Sequence, residues 1–122
     1  MTTVRVDTYV FMQASPGLVV DRLMYASRLR AAEDLAVDHT QGKVTEAELG
    51  IRLHELAPRL SPYEQQHRFE QLVEAIQYRQ DVHDGMVTPA EVEPRLAHPE
   101  VLADHAAKRV DAALHDLIGG GL

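Results

Sequence analysis

The pattern of apolar and polar positions along the chain changes its period once, near the N-terminus. Over residues 4–11, residues of the Val and Thr type alternate with charged and aromatic ones, and this period of two predicts a short β-strand. Farther along, apolar residues recur every three or four positions, which is typical of amphipathic helices. The second period is clearest in one stripe, with spacings of four, three and four: Leu49, Leu53, Leu56 and Leu60.

The starts of the helices are marked by residues that cap free backbone amides. Ser15 followed by Pro16 predicts a first helix that runs to about Val37. Thr45 and Ser61 each stand three residues before a glutamate, an arrangement known as a capping box, and they predict the starts of the second and third helices. Proline supports the third start, since it directly follows Ser61.

The remaining boundaries follow from proline and glycine. Pro58 is expected to end the second helix, and Thr88 opens a short fourth helix that closes before Pro99. A fifth helix begins at Pro99, and the glycines at 119–121 are expected to stop it. The fold class predicted is all-α, with about five helices and a short N-terminal β-strand. The apolar faces predicted to form the core include Val19, Val20, Leu23, Met24, Leu29, Ala32, Leu35, Phe69, Leu72, Val73, Ile76, Leu102, Ala106, Val110, Ala113 and Leu117.

Two stretches of the chain repeat one another. Residues 38–49 and 81–92 share Asp, three residues, Gly, one residue, Val-Thr, one residue, Ala-Glu and then Leu or Val. A match of this length in register is typical of a tandem repeat of one helix–loop–helix unit. We therefore expect a single domain of 1–122 with these parts: a strand-like arm at 1–12, repeat units at 16–57 and 62–97, and a C-terminal helix at 99–118.

The repeat resembles a pair of EF-hands over roughly residues 18–97. In each copy the glycine, the valine and the glutamate have the spacing of loop positions six, eight and twelve: Gly42, Val44 and Glu48, then Gly85, Val87 and Glu91. The resemblance implies calcium as a cofactor, with Glu48 and Glu91 as bidentate ligands and Asp84 at the fifth position of the second loop.

The other ligand positions of these loops do not follow the EF-hand pattern. Positions one, three and five of the first copy are Val37, His39 and Gln41, and positions one and three of the second are Gln80 and Val82. Calcium needs six to eight oxygen ligands, which these side chains do not supply. A structural interpretation explains the same residues with fewer assumptions, because the glycines end helices with positive φ and the glutamates complete capping boxes. We favour that interpretation and expect no cofactor.

Charge and composition narrow the classes of function. The formal net charge is −7, and residues 1–30 are net positive, so the acidic excess lies in the rest of the chain. An acidic surface disfavours direct nucleic-acid binding and suits a basic partner. The absence of cysteine excludes disulfides and thiolate metal sites. No signal peptide or membrane-spanning run is apparent, so we expect a cytoplasmic protein that does not bind membranes.

The N-terminal strand is the clearest candidate for an interface. A lone strand leaves its backbone groups unpaired, which favours strand addition or dimerisation through the face of Arg5, Tyr9 and Phe11. No set of residues stands out as catalytic. The sequence therefore predicts a non-enzymatic protein-interaction or regulatory module that acts through self-association or one protein partner. Three alternatives stay open: a degenerate EF-hand-like metal-binding protein, an acidic inhibitor of a nucleic-acid-binding protein, and a helical enzyme or accessory subunit.

Overall fold

The computed structural model describes residues 16–87, 93–96 and 98–121, with side chains from Met24 onward. The described part is mostly helical and contains no strand, which confirms an all-α fold at that level. Its elements are, in order, α1 (Pro16–Thr40), α2 (Glu46–Leu56), α3 (Pro62–His83), a single turn of 3₁₀ helix (Pro94–Leu96) and α4 (Pro99–Gly121).

Two predicted elements fall wholly or mainly outside this part of the chain. The N-terminal strand and the arm at 1–12 precede the first described residue, so they stay predictions. The first part of the predicted short helix opened by Thr88, residues 88–92, is also outside the description, and within its last part the structure has a single 3₁₀ turn in place of an α-helix.

The predicted helix starts are confirmed where the structure describes them. The hydroxyl of Thr45 accepts a hydrogen bond from the backbone N–H of Glu48 at 3.2 Å. Ser61 does the same for Glu64 at 3.2 Å. Each hydroxyl satisfies a backbone amide that has no partner within its helix, which fixes the residue at which the helix begins. The end of α2 at Leu56, before Pro58, is also as predicted.

The core lies where all four helices meet. α3 and α4 form the most extensive interface and run antiparallel, since Arg68 near the start of α3 contacts Asp116 near the end of α4 while Tyr78 contacts Arg109. The buried residues that form the core are Ala32, Leu35, Ala36, Leu49, Leu53, Ala57, Phe69, Leu72, Ala75, Ile76, Val110, Leu114, Leu117 and Ile118.

Met24 is an exception to the predicted core, because its side chain is 52% exposed. It lies on the same face of α1 as Leu35, eleven residues later, so the periodicity alone places it inside. The next residues of α1 do contact neighbouring helices: Tyr25 contacts His115 of α4, and Arg28 contacts the last carbonyls of α2. The side chain of Met24 stays exposed beside these contacts.

The prediction that the glycines stop the last helix is wrong, because α4 continues to Gly121. The glycines allow the helix to approach the turn between α2 and α3. A Cβ built on Gly121 would lie 2.5 Å from the Cα of Ala57 and closer still to its Cβ, and one built on Gly120 would overlap the guanidinium of Arg68. The Gly121 carbonyl also accepts a hydrogen bond from the backbone N–H of Arg59 at 3.1 Å. These glycines are packing residues.

Two side chains fix the turn and the helix end near this contact. The buried amide of Gln65 donates hydrogen bonds to the carbonyls of Ala57 at 2.9 Å and Leu60 at 3.1 Å, so the turn between α2 and α3 has a buried partner for its backbone. Arg28 donates from Nη1 to the carbonyl of Glu55 at 2.8 Å, where a positive charge also complements the negative end of the α2 dipole. Among the described helices, none is both long and apolar enough to cross a membrane.

Candidate functional site

The first copy of the repeat forms a helix end followed by a new helix. At the end of α1, Gly42 has φ +71° and its N–H donates to the carbonyl of His39 at 3.1 Å. The N–H of Lys43 donates to the carbonyl of Asp38 at 2.9 Å. This pair of bonds is the Schellman motif, which satisfies two carbonyls that have no partner within the helix. Val44 then packs half-buried against the core, and Thr45 caps α2.

The second copy repeats the same geometry at the end of α3. Gly85 has φ +73°, and its N–H donates to the carbonyl of Val82 at 3.2 Å. The N–H of Met86 donates to the carbonyl of Asp81 at 2.8 Å. The positive φ predicted for both glycines is thus confirmed. The shared aspartate takes part in each motif through its backbone carbonyl, so this role does not require its carboxylate.

The match between the two copies extends beyond residues 38–49 and 81–92. Arg52 and Leu53 of α2 correspond to Arg95 and Leu96 of the 3₁₀ turn, at the same offset of 43 residues. Both leucines are buried. The repeated unit therefore includes a core leucine and an adjacent arginine.

Two of the three residues predicted as metal ligands, Glu48 and Asp84, lie in the described part of the chain. Val37 and His39, the first and third loop positions of copy one, lie within α1, and the carboxylate of Glu48 accepts a hydrogen bond from the Thr45 hydroxyl at 3.0 Å. Over the described residues, no group of three or more histidines and acids is placed to hold a metal ion. Glu91 lies outside the description, so the calcium site that the resemblance implies stays a prediction.

Asp84, the other predicted ligand, is an exposed residue at the end of α3. Its Oδ1 accepts hydrogen bonds from Gln80 Nε2 at 3.0 Å and from the ring of His83 at 3.2 Å. The bond from Gln80, followed by that from His83, lowers the pKa of Asp84 below its ordinary value, because both favour the charged carboxylate. The residue therefore has local partners that do not require a metal.

The interface predicted from the sequence belongs to the N-terminal arm. Arg5, Tyr9 and Phe11 lie outside the described residues, so their role stays a prediction. Tyr63 is 73% exposed at the start of α3, where its ring stacks on that of His67. The other tyrosines on described helices are half-buried: Tyr25 hydrogen-bonds His115 at 2.7 Å, and Tyr78 lies under the guanidinium of Arg109.

An open groove of about 400 Å³ lies where the end of α1, the start of α2 and the first half of α3 meet. Its apolar lining comes from Phe69 and Val73 of α3, with the ring of His39 edge-on to Phe69 at 5.5 Å. We call this the acidic groove, because three glutamates line it: Glu46 from α2 and Glu70 and Glu74 from α3. None of these three forms an ion pair with another described residue.

A second groove, of about 330 Å³, lies between α1 and α2 within the first copy of the repeat. We call it the mixed-charge groove, since carboxylates and cationic side chains line it together. The residues that line it are Ala31, Asp34, Leu35, Asp38, Lys43, Val44, Glu48 and Arg52.

Comparison of the sequence with models of protein families, with curated proteins and with solved structures found no match. The two grooves therefore have to be interpreted from their own residues.

The order of apolar and charged residues in the sequence did not predict either groove. Glu70 and Glu74 are one helical turn apart, a spacing that places both on one face of α3. That signal is common on exposed helices, and Glu46 joins the pair through the packing of α2 on α3. The mixed-charge groove likewise requires that α1 and α2 pack against each other.

Proposed function

We propose that the protein is a non-enzymatic interaction module that binds a basic segment of one protein partner through the acidic groove. The observation that carries the proposal is the combination of three glutamates without ion pairs and an apolar lining in one groove, in a chain of net charge −7. Lysine and arginine side chains combine an aliphatic stem with a cationic head. Such a side chain would lay its stem on the half-buried Val73 and place its charge between the glutamates.

The arrangement of charges on α3 supports a basic occupant. Glu70 and Glu74 are both exposed, so their charges remain solvated until a partner binds. Elsewhere on the same helix the carboxylate of Glu64 is already occupied, since it pairs with Arg68 at 3.1 Å. A partner with two or more basic residues would therefore pair with the glutamates of the groove and not with Glu64 at the start of α3. Complementary charge of this kind mainly accelerates association and fixes the partner's orientation.

The proposal is tested with a fluorescein-labelled nonapeptide that alternates lysine or arginine with leucine, and with a matched peptide in which glutamate replaces the basic residues. Binding is measured as fluorescence anisotropy at 50 and 300 mM salt. We expect the basic peptide to bind and to weaken as salt rises, since exposed charges are screened. The acidic peptide should not bind.

Two double variants decide where the peptide binds. Glu70→Gln with Glu74→Gln removes two charges from the acidic groove, and Glu55→Gln with Glu100→Gln removes two exposed charges outside it. The groove variant should weaken binding about three- to tenfold, because each partly exposed charge pair contributes up to about 1 kcal/mol. The control variant should keep the affinity. Equal weakening in both variants, or no binding of the basic peptide, would contradict the proposal.

A further inference from the structure

The mixed-charge groove contains four charged side chains that have no ion-pair partner among the described residues: Asp34, Asp38, Lys43 and Arg52. Some other charges on the described surface do pair. Lys108 lies 2.9 Å from Asp104. In the groove the two carboxylates and the two cations instead surround a space with an apolar lining. This arrangement suits a dipolar molecule, because the groups that would face its two charges have no ion-pair partner among the described residues.

We propose that this groove binds a small zwitterion of the α-amino acid class. The guanidinium of Arg52 offers a planar pair of donors for the ligand's carboxylate, with Lys43 as a second positive charge. Asp34 and Asp38, one helical turn apart on α1, face the same space and accept from the ligand's ammonium group. The apolar part of the ligand lies against Ala31, Leu35 and Val44.

The size and composition of the groove fit such a ligand. Its volume of about 330 Å³ lies at the lower end of the range for small-molecule sites. Glu48, the remaining charged residue of the lining, is engaged by the Thr45 hydroxyl at 3.0 Å. Its carboxylate keeps its charge, so the lining has three negative and two positive groups, and a ligand with one charge of each sign finds a complement for both.

The second copy of the repeat provides an internal comparison. At the positions of Asp34 and Lys43 it has Gln77 and Met86, so one carboxylate and one cation are missing. The residue that corresponds to Arg52 is Arg95, and it already pairs with Glu93 at 2.5 Å. The second copy shares the helix end of the first but lacks its set of four free charges. The charged set is therefore not required to form the helix end.

The test is titration of the ¹⁵N-labelled protein with each of the twenty amino acids, followed by amide chemical shifts. We expect at least one amino acid to shift the amides of residues 31–52 in a saturable way and to raise Tm by several degrees at saturation. The N-acetylated form and the carboxamide form of that amino acid, each lacking one charge, should bind at least tenfold more weakly.

Variants locate the site and separate this proposal from the one for the acidic groove. Arg52→Gln should weaken the amino acid at least tenfold, whereas Arg95→Gln, at the matching position of the second copy, should leave its affinity unchanged. Glu70→Gln with Glu74→Gln should also leave it unchanged. The proposal is overturned if no amino acid shifts these amides, if either singly charged analogue binds as tightly, or if Arg95→Gln weakens binding as much as Arg52→Gln does.

Discussion

The packing of the last helical turn against the turn after α2 makes a sharp prediction for Gly121→Ala. The added Cβ would lie 2.5 Å from the Cα of Ala57. The atoms in its way are the Cβ and the backbone of Ala57, which cannot rotate aside. Overpacking of this kind costs about 1–3 kcal/mol. The better helix propensity of alanine returns about 0.5–1 kcal/mol, and less at a helix end, so we expect a net loss of about 1–2 kcal/mol.

The matched control is Gly50→Ala. Gly50 lies in the middle of α2, and a Cβ built there would meet no atom within 4 Å. The substitution therefore gains helix propensity without overlap and should stabilise the protein by about 0.5–1 kcal/mol. The two variants make the same chemical change in helices but should alter the free energy of unfolding in opposite directions.

The assay is urea unfolding followed by circular dichroism at 222 nm. Gly121→Ala should lower the midpoint and Gly50→Ala should raise it, both with an unchanged m-value. In thermal unfolding, a loss of this size corresponds to a decrease in Tm of about 4–8 °C. If Gly121→Ala were as stable as the parent protein, the last turn would not pack against Ala57 in solution, and the account of the glycines as packing residues would be refuted.

Three further predictions concern single contacts. Gly85→Ala should cost about 1–2 kcal/mol by thermal unfolding, because φ +73° is strained for any residue with a Cβ, and no loss would show that the Schellman geometry is not needed. Gln80→Ala should raise the pKa of Asp84 towards its ordinary value in an NMR titration of the carboxyl carbon. An unchanged titration would contradict the assigned cause. Because the pKa of Asp84 is lowered in the folded protein, the charged carboxylate stabilises the fold above the ordinary Asp pKa, and this stabilisation is lost as pH falls through the lowered pKa. Tyr25→Phe should cost about 0.5–1.5 kcal/mol through loss of the bond to His115, unless that bond is absent in solution.

The parts of the fold that depend on nearby residues could be predicted from the sequence. Thr45 and Ser61 fix the starts of α2 and α3 through bonds to residues three positions later, and Gly42 and Gly85 adopt positive φ beside the carbonyls that they help to satisfy. These interactions lie within one helical turn, so the local sequence contains the information for them.

The parts that depend on distant residues could not be predicted in this way. The glycines of α4 were expected to stop the helix because glycine ends many helices, but their role depends on Ala57, far away in the sequence. Met24 matches the apolar period of α1 yet is exposed, because burial depends on which part of a helix face meets a neighbour and not on the period alone. The acidic groove combines Glu46 with residues of another helix, and no spacing along the chain indicates that partnership.

The contact of Gly121 with Ala57 also has a consequence for the order of folding. These residues are more than sixty positions apart, whereas α1 and α2, and then α2 and α3, are joined by short turns. Closing a long loop costs entropy before its contacts form, so the short helical hairpins should form first and the end of α4 should dock afterwards. A contact made after the transition state changes the unfolding rate and leaves the refolding rate nearly constant. We therefore expect the last turn of α4 to affect the unfolding rate, and hence the lifetime of the folded state, more than the refolding rate.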